Sequence, residues 1–271
     1  MEFRRASRSP GGLALAIVLA LPAAAGTLHL GGTGTTTEPL RRIGARFARD
    51  TGITVEVIPG LGSGGGIRAA TEGFLQLVVS GRVLSASEEE RDLTSVLTVC
   101  TPYVLASSHP SPGSLDRAAV AAIWAQAAPS WPDGTRLKIV LRPKSQSDNA
   151  TLITLFPGME QGIAQARTRE SVPVAATDQD NADLAEQIPG SRIGSTYAQI
   201  MTERRNLRFV AINGVLPGIE SFESGRYPFG QHLHMIVTRH PLPETDRFLD
   251  FLRSPEGSKA MRETGIVPCP E

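Results

Sequence analysis

Strand-like and helix-like patterns alternate along this chain, and two of the junctions are short loops rich in glycine and hydroxyls. They are Gly31-Gly32-Thr33-Gly34-Thr35-Thr36-Thr37 and Gly60-Leu61-Gly62-Ser63-Gly64-Gly65-Gly66. Leu28 and Leu30 precede the first; before the second, Ile53, Val55 and Val57 alternate with Thr54 and Glu56. After the first loop Leu40, Ile43, Gly44 and Phe47 recur at helical spacing, with Pro39 tolerated in the opening turn. Ile67, Ala69 and Ala70 follow the second. A strand–loop–helix unit aims free backbone N–H groups and the positive end of a helix dipole at one point beyond the strand. Glycine permits close approach of the main chain, and Ser or Thr adds hydroxyl donors. The pattern points to capture of an anion by neutral donors. Neither loop is a nucleotide P-loop, because Gly66 is followed by Ile67 and Arg68 rather than by lysine. Ser63 is not a nucleophile elbow, since Leu61 stands where that motif requires glycine.

The chain of 271 residues is long enough for one large domain or two modest ones. Its 41% apolar and 20% charged content is that of a soluble globular protein, and zero formal charge gives no broad basic field for nucleic acid or a membrane surface. Arg4, Arg5 and Arg8, the apolar run Leu13–Leu21 and Ala23-Ala24-Ala25 read as a secretory signal peptide over residues 1–25, cleaved near Ala25. The run is too short for a membrane anchor and ends at Pro22. Removing it leaves an excess of two acidic residues. Export leaves two readings for Cys100 and Cys269, the only cysteines: a disulfide tying the tail to the core, or a buried thiol beside a frayed tail.

Alternation of element types predicts α/β architecture. Phe74–Ser80 reads as a strand buried on both faces, Glu88–Asp92 as a solvated turn, and Ser114 as the N-cap of an Ala-rich helix through Trp124. Leu137–Leu141, Val172–Ala176 and Ser191–Gly194 read as further strands, and Tyr227–Thr238 as a late strand region. Phe248, Leu249, Leu252 and Met261 mark a terminal helical segment.

These residues resemble the phosphate-binding proteins of bacterial ABC importers, within the type II periplasmic binding-protein superfamily. The resemblance is carried by GGTGTTTEPL, GLGSGGGIRAATEG followed by LVVSGR, WPDG leading to IVLR, NGVLPGIESFESGRYP and FLDFLRSPEGSKAMRETGIVP. It implies a two-lobe α/β fold with an interlobe ligand cleft: lobe one from 26–103 and 233–271, lobe two from 104–232. Val96–Ala106 and Leu233–Thr238 would be the hinge crossover strands. It further implies a periplasmic, monomeric protein that binds a small oxyanion, phosphate first among them, and delivers it to an ABC permease, without cofactor, metal or catalytic residues. By motif matching, Thr35 and Thr36 would donate from the first loop, Ser63 with Gly64 from the second, and Arg142 from the strand after WPDG. Ser147 is the best match to the family's helix-start donors, and its hydroxyl also suits an N-cap. A guanidinium fork suits a tetrahedral oxyanion. One departure stands out: where the family has an aspartate after the third-strand serine, Ser80 is followed by Gly81 and Arg82. Arg82 is then either a second cation at the cleft or a surface residue capping the strand. Asp148 and Asp178 are the candidate replacements for the missing acceptor.

An exported phosphoester hydrolase is the rival reading, and an anion-sensing module presenting ligand to a membrane sensor is a third. His29, His109, His232, His234 and His240 are scattered without metal-ligand spacing. His232 and His234 alternate on one strand face and read as interlobe hydrogen-bonding residues rather than metal ligands. Trp124 and Trp131 read as core residues rather than sugar platforms, and 5% aromatic content gives little stacking surface.

Overall fold

The computed structural model describes residues 26–270, so the segment read as a signal peptide lies outside the described residues. Strand β1 (Thr27–Gly32) leads through a 3-10 turn at Gly34–Thr36 into helix α1 (Thr37–Thr51), followed by β2 (Thr54–Ile58), α2 (Gly62–Thr71), β3 (Leu77–Ser80) and a short α3 (Ala86–Glu89). The long strand β4 (Leu93–Ser107) opens the middle of the chain: β5 (Ser114–Leu115), α4 (Val120–Ala125), β6 (Lys138–Ile139), α5 (Ser147–Leu155), α6 (Met159–Ala166), α7 (Asp178–Gln187), β7 (Ser191–Thr196) and α8 (Tyr197–Thr202). Then come β8 (Arg208–Phe209), β9 (Ala211–Ile212), α9 (Ile219–Glu223), β10 (Gly230–Thr238), α10 (Pro243–Arg253) and α11 (Pro255–Glu263). Among the described residues no helix is long and apolar enough to cross a membrane.

Eight strands form one sheet in the order β2-β1-β3-β10-β4-β7-β6, with β8 also on β4. The parallel strands β2, β1 and β3 bring the ends carrying both glycine loops and Ser80 to one edge. Strand β4 couples the two halves. Its first part pairs with β10 up to Pro102↔Gly230, and from Tyr103 onward it pairs with β7. The two parts have separate cores: Leu28, Leu30, Ile43, Phe47, Leu233 and Phe248 in one, and Tyr103, Trp124, Trp131, Phe156, Tyr227 and Phe229 in the other. Both tryptophans are therefore core residues, and the buried Arg192 guanidinium lies 4.4 Å from the Trp124 ring centroid, a cation–π contact.

Helix α1 buries Leu40, Ile43 and Phe47 on one face and stops where Gly52 takes φ 76°. Gly66 of α2 is the close-approach glycine: a Cβ there would lie 2.9 Å from Gly32 Cα and 3.0 Å from Val78 Cγ1. A Cβ on Gly64 meets nothing within 4 Å.

Local patterns misled in four places. The run read as a strand from Phe74 is a strand only from Leu77, because Gly73 at φ 80° ends α2 in a turn and leaves Phe74 70% exposed. Ser114 does not cap a helix; it pairs with Ala211, and the helical stretch starts after Asp116. Val172–Ala176 forms only the bridge Leu141↔Val174, since Pro173 has no N–H to extend the ladder. The Glu88–Asp92 charge cluster is partly helical: Ser85 and Glu88 make a capping box that starts α3.

Cys100 and Cys269 form a disulfide with Cα atoms 4.8 Å apart. The tail is also held by backbone, with Cys100 N–H donating to Val267 at 2.7 Å and Val267 N–H returning to Cys100 at 2.8 Å. Among the described residues, Cys100, Cys269 and His232 are the one group with metal-ligand proximity, and both sulfurs are in the disulfide.

Candidate oxyanion site between the two halves

The first loop is a turn whose own side chains organise it. Thr36 Oγ1 donates to Thr33 carbonyl at 2.9 Å, and Thr33 N–H to Val79 at 2.8 Å. With the carbonyls thus engaged, the N–H of Gly34 points across the interface and donates to Asp178 Oδ2 at 2.9 Å. The nearby Thr35 N–H also favours the charged form of that carboxylate. The other oxygen, Oδ1, accepts from Arg142 Nη2 at 3.1 Å. Arg142 follows β6 and is only 3% exposed. Its Nη1 donates to Ala175 carbonyl at 2.9 Å, while its Nε has no acceptor among the described residues. The Asp178 carboxylate is thereby held by the Gly34 N–H and a guanidinium, as a bound oxyanion would be. Gly34, Gly62, Arg142, Gln146, Thr177 and Asp178 line a cavity here of only about 10 Å³, room for about one water.

The second loop meets the same region. Ser63 Oγ accepts Gly81 N–H at 2.9 Å and lies 3.3 Å from Ser147 Oγ, so the hydroxyls at the starts of α2 and α5 face each other. The loop before α5 is shaped by Asn149, which donates to Pro143 carbonyl at 2.7 Å, and by Arg167, which donates to Arg142 carbonyl at 2.6 Å. Next in α5, Asp148 accepts from Tyr103 OH at 2.7 Å. Burial raises the Asp148 carboxyl to about 6, against the lowering effects of Tyr103 and Arg142. Burial also raises Asp178, opposed by Arg142 and the Gly34 and Thr35 N–H groups. Two carboxyls therefore share one guanidinium in a dry site, a balance that disfavours full ionisation of both.

Of the residues singled out from sequence, Thr35, Ser63, Arg142 and Ser147 come together in this region. Thr36 is spent on its own loop. Ser80 Oγ donates to Arg82 carbonyl at 2.7 Å and closes the strand-end turn. Arg82 is committed elsewhere: Glu88 takes its two amino groups at 2.8 Å each, and Val83 carbonyl accepts at 2.9 Å. The capping-box role of Glu88 is what brings that carboxylate to Arg82, so it supplies no second cation to the Arg142 cluster. Among the described residues His232 and His234 make no hydrogen bond across the lobes; His234 Nδ1 lies 3.2 Å from Thr98 Oγ1 on the neighbouring strand β4.

Sequence reasoning missed Tyr103 and Gln231. Gln231 on β10 is buried, and its Nε2 would be 2.5 Å from a Cβ on Gly81, with Ser147 Oγ at 3.0 Å. The space that a side chain at Gly81 would need is thus taken by an amide from another strand, and no local signal marks it. Larger surface cavities lie elsewhere. One of about 600 Å³ is lined by Tyr197, Leu216, Arg226 and Arg262, without converging donors on a buried point.

A family model described as a PBP superfamily domain matches residues 20–256. The chain belongs to the PBP superfamily. A search of curated proteins finds no match. Among solved structures the chain is similar to a putative phosphate ABC transporter substrate-binding protein with bound phosphate from Clostridium perfringens. That match has 15% identity and TM-score 0.75, covering 89% of this chain and 99% of that one. It is also similar to an ABC-type phosphate transport receptor from Vibrio cholerae (15% identity, TM-score 0.61, 89% and 99% covered). A periplasmic molybdate-binding protein from Azotobacter vinelandii matches at 13% identity and TM-score 0.59, covering 89% and 98%. These likenesses establish the two-lobe PBP-superfamily fold.

Proposed function

We propose that this PBP-superfamily chain is an exported solute-binding protein that captures phosphate, or a closely related tetrahedral oxyanion, between its two lobes and delivers it to an ABC importer. The observation that carries this reading is the convergence of Gly34 N–H and the Arg142 guanidinium on one carboxylate-sized point. The lobes we propose are 26–103 with 233–271, and 104–232. The change of strand partner between Pro102 and Tyr103 supports the first boundary, while β10 starts at Gly230, three residues before the second. Ser63 and Ser147 add hydroxyls from opposite lobes, and closure removes water, which strengthens each donor.

Phosphate is favoured over sulfate by the carboxyls. A protonated phosphate oxygen can donate to Asp148, whereas fully ionised sulfate brings no proton and meets carboxylate charge. A hydrolase reading needs a nucleophile with a base in reach. Among the described residues the hydrogen-bond neighbours of Ser63 are Gly81 and Ser147, and His109 is engaged with Asp133 at 3.0 Å. Export, monomeric state and the permease partner belong to the same proposal.

The test is calorimetric titration of phosphate into wild type and Ser63→Ala, with a parallel assay for phosphoester turnover. One phosphate per wild-type chain and no turnover are expected. Ser63→Ala should bind more weakly by about 1–3 kcal/mol, because a ligand oxygen and Gly81 N–H lose their partner. No binding heat in wild type rejects the phosphate assignment, and unchanged affinity in Ser63→Ala removes that hydroxyl from the contacts.

A further inference from the structure

Asp178 occupies the donors that the proposed ligand would use. Its two oxygens take Gly34 N–H at 2.9 Å and Arg142 Nη2 at 3.1 Å. The cavity left beside it, about 10 Å³, is far too small for a tetrahedral oxyanion. Arg142 Nε keeps a buried proton without an acceptor among the described residues, so the carboxylate fills the site only in part. This arrangement does not come from helix capping. The start of α7 is capped by Thr177, whose Oγ1 accepts Asp180 N–H at 3.0 Å, and by Asp180, whose carboxylate accepts Thr177 N–H at 2.9 Å. The Asp178 carboxylate is free of that duty and reaches across to the other half of the molecule.

We propose that Asp178 is a tethered stand-in for the ligand, a specificity-determining residue whose carboxylate must leave before an oxyanion can bind. The proposal rests on the oxyanion-binding reading above. The neighbouring backbone contacts suit such an exchange. Asp178 carbonyl accepts Gln199 Nε2 at 3.1 Å, and Gln179 Nε2 donates to Gly34 carbonyl at 2.9 Å. Helix α7 is thus tied to Gln199 and to the first loop by contacts that do not involve the Asp178 carboxylate. A competing internal anion lowers apparent affinity by the fraction of time it holds the site. It also filters ligands: an oxyanion too weak to displace a carboxylate from Arg142 and the Gly34 N–H is refused, and one that carries its own proton can bind with less charge beside the displaced carboxylate.

The sign of the mutational effect separates this role from a supporting one. Removing a residue that merely positions Arg142 can only weaken binding; removing an internal competitor strengthens it. Phosphate and sulfate are titrated into wild type, Asp178→Ala and the isosteric Asp178→Asn, with the unfolding midpoint of each recorded. Asp178→Ala is expected to bind phosphate roughly ten- to a hundredfold more tightly than wild type, and to gain measurable sulfate binding. Asp178→Asn, which keeps one acceptor oxygen without the charge, should fall between them. It carries the test alone should Asp178→Ala fail to fold. Equal or weaker phosphate binding in the folded variants overturns the proposal while leaving the oxyanion-binding reading intact. No binding of either anion by any of the three proteins rejects that reading itself.

Discussion

Arg142→Ala is expected to weaken phosphate binding by about 2–5 kcal/mol, the cost of removing one charge from a desolvated charge-paired site. The same substitution should also destabilise the folded protein by about 3–5 kcal/mol, because it strands the buried Asp178 carboxylate. Sequence analysis marks Arg142 only as a ligand contact. The geometry says otherwise, since Arg142 ties Ala175 carbonyl at 2.9 Å and Asp178 at 3.1 Å in a nearly solvent-free position. The two effects can be measured apart. Arg142→Ala with Asp178→Ala removes both charges, so denaturant unfolding should recover much of the lost stability while phosphate titration stays weak. Arg142→Lys keeps a charge without the fork and should bind poorly as well. Recovery of tight binding in the double variant would show that Arg142 acts on stability alone.

Loss of the Cys100–Cys269 disulfide has the second large expected effect. The crosslink closes a loop between residues 169 apart, so Cys269→Ser should lower unfolding free energy by about 2–5 kcal/mol, chiefly by releasing the unfolded chain. The native tail keeps its own anchors: the paired Cys100 and Val267 backbones, and buried Ile266 and Val267. Phosphate affinity of the variant should therefore be close to wild type at temperatures where it is folded. Denaturant midpoints of wild type with and without reductant provide the check. Coincident midpoints would mean that the crosslink contributes nothing, and a large loss of affinity would mean that the tail controls the hinge strand β4.

The donors legible in the sequence were those that local chemistry marks. A glycine loop after an alternating strand marks Thr35 and Ser63, though not Gly34; an arginine at a strand end marks Arg142; a hydroxyl at a helix start marks Ser147, which is the first residue of α5 and not its N-cap. The β–α alternation likewise gives the fold class, and the long apolar run around Cys100 gives the strand that spans both halves. What was not legible depends on long-range contact. Gly34 and Asp178 are 144 residues apart, Tyr103 and Asp148 are 45 apart, and no periodicity connects either pair. Gln231 lies behind Gly81 only because β10 sits between β3 and β4 in the sheet. Arg82 is a different case. Ser85 and Glu88 spell a capping box, a signature passed over when Glu88–Asp92 is read as a solvated turn, and the structure puts that carboxylate on Arg82. Phe74 shows the reverse error, where an apolar run outweighed the helix-ending glycine just before it.

The crystal structure of the oxidised protein grown with phosphate tests the central claim most directly. The account predicts one phosphate between the lobes, with oxygens on the N–H groups of Gly34 and Thr35, the Arg142 guanidinium and the hydroxyls of Ser63 and Ser147. A phosphate held elsewhere, or a cleft in which Arg142 makes no contact with the bound anion, would contradict it.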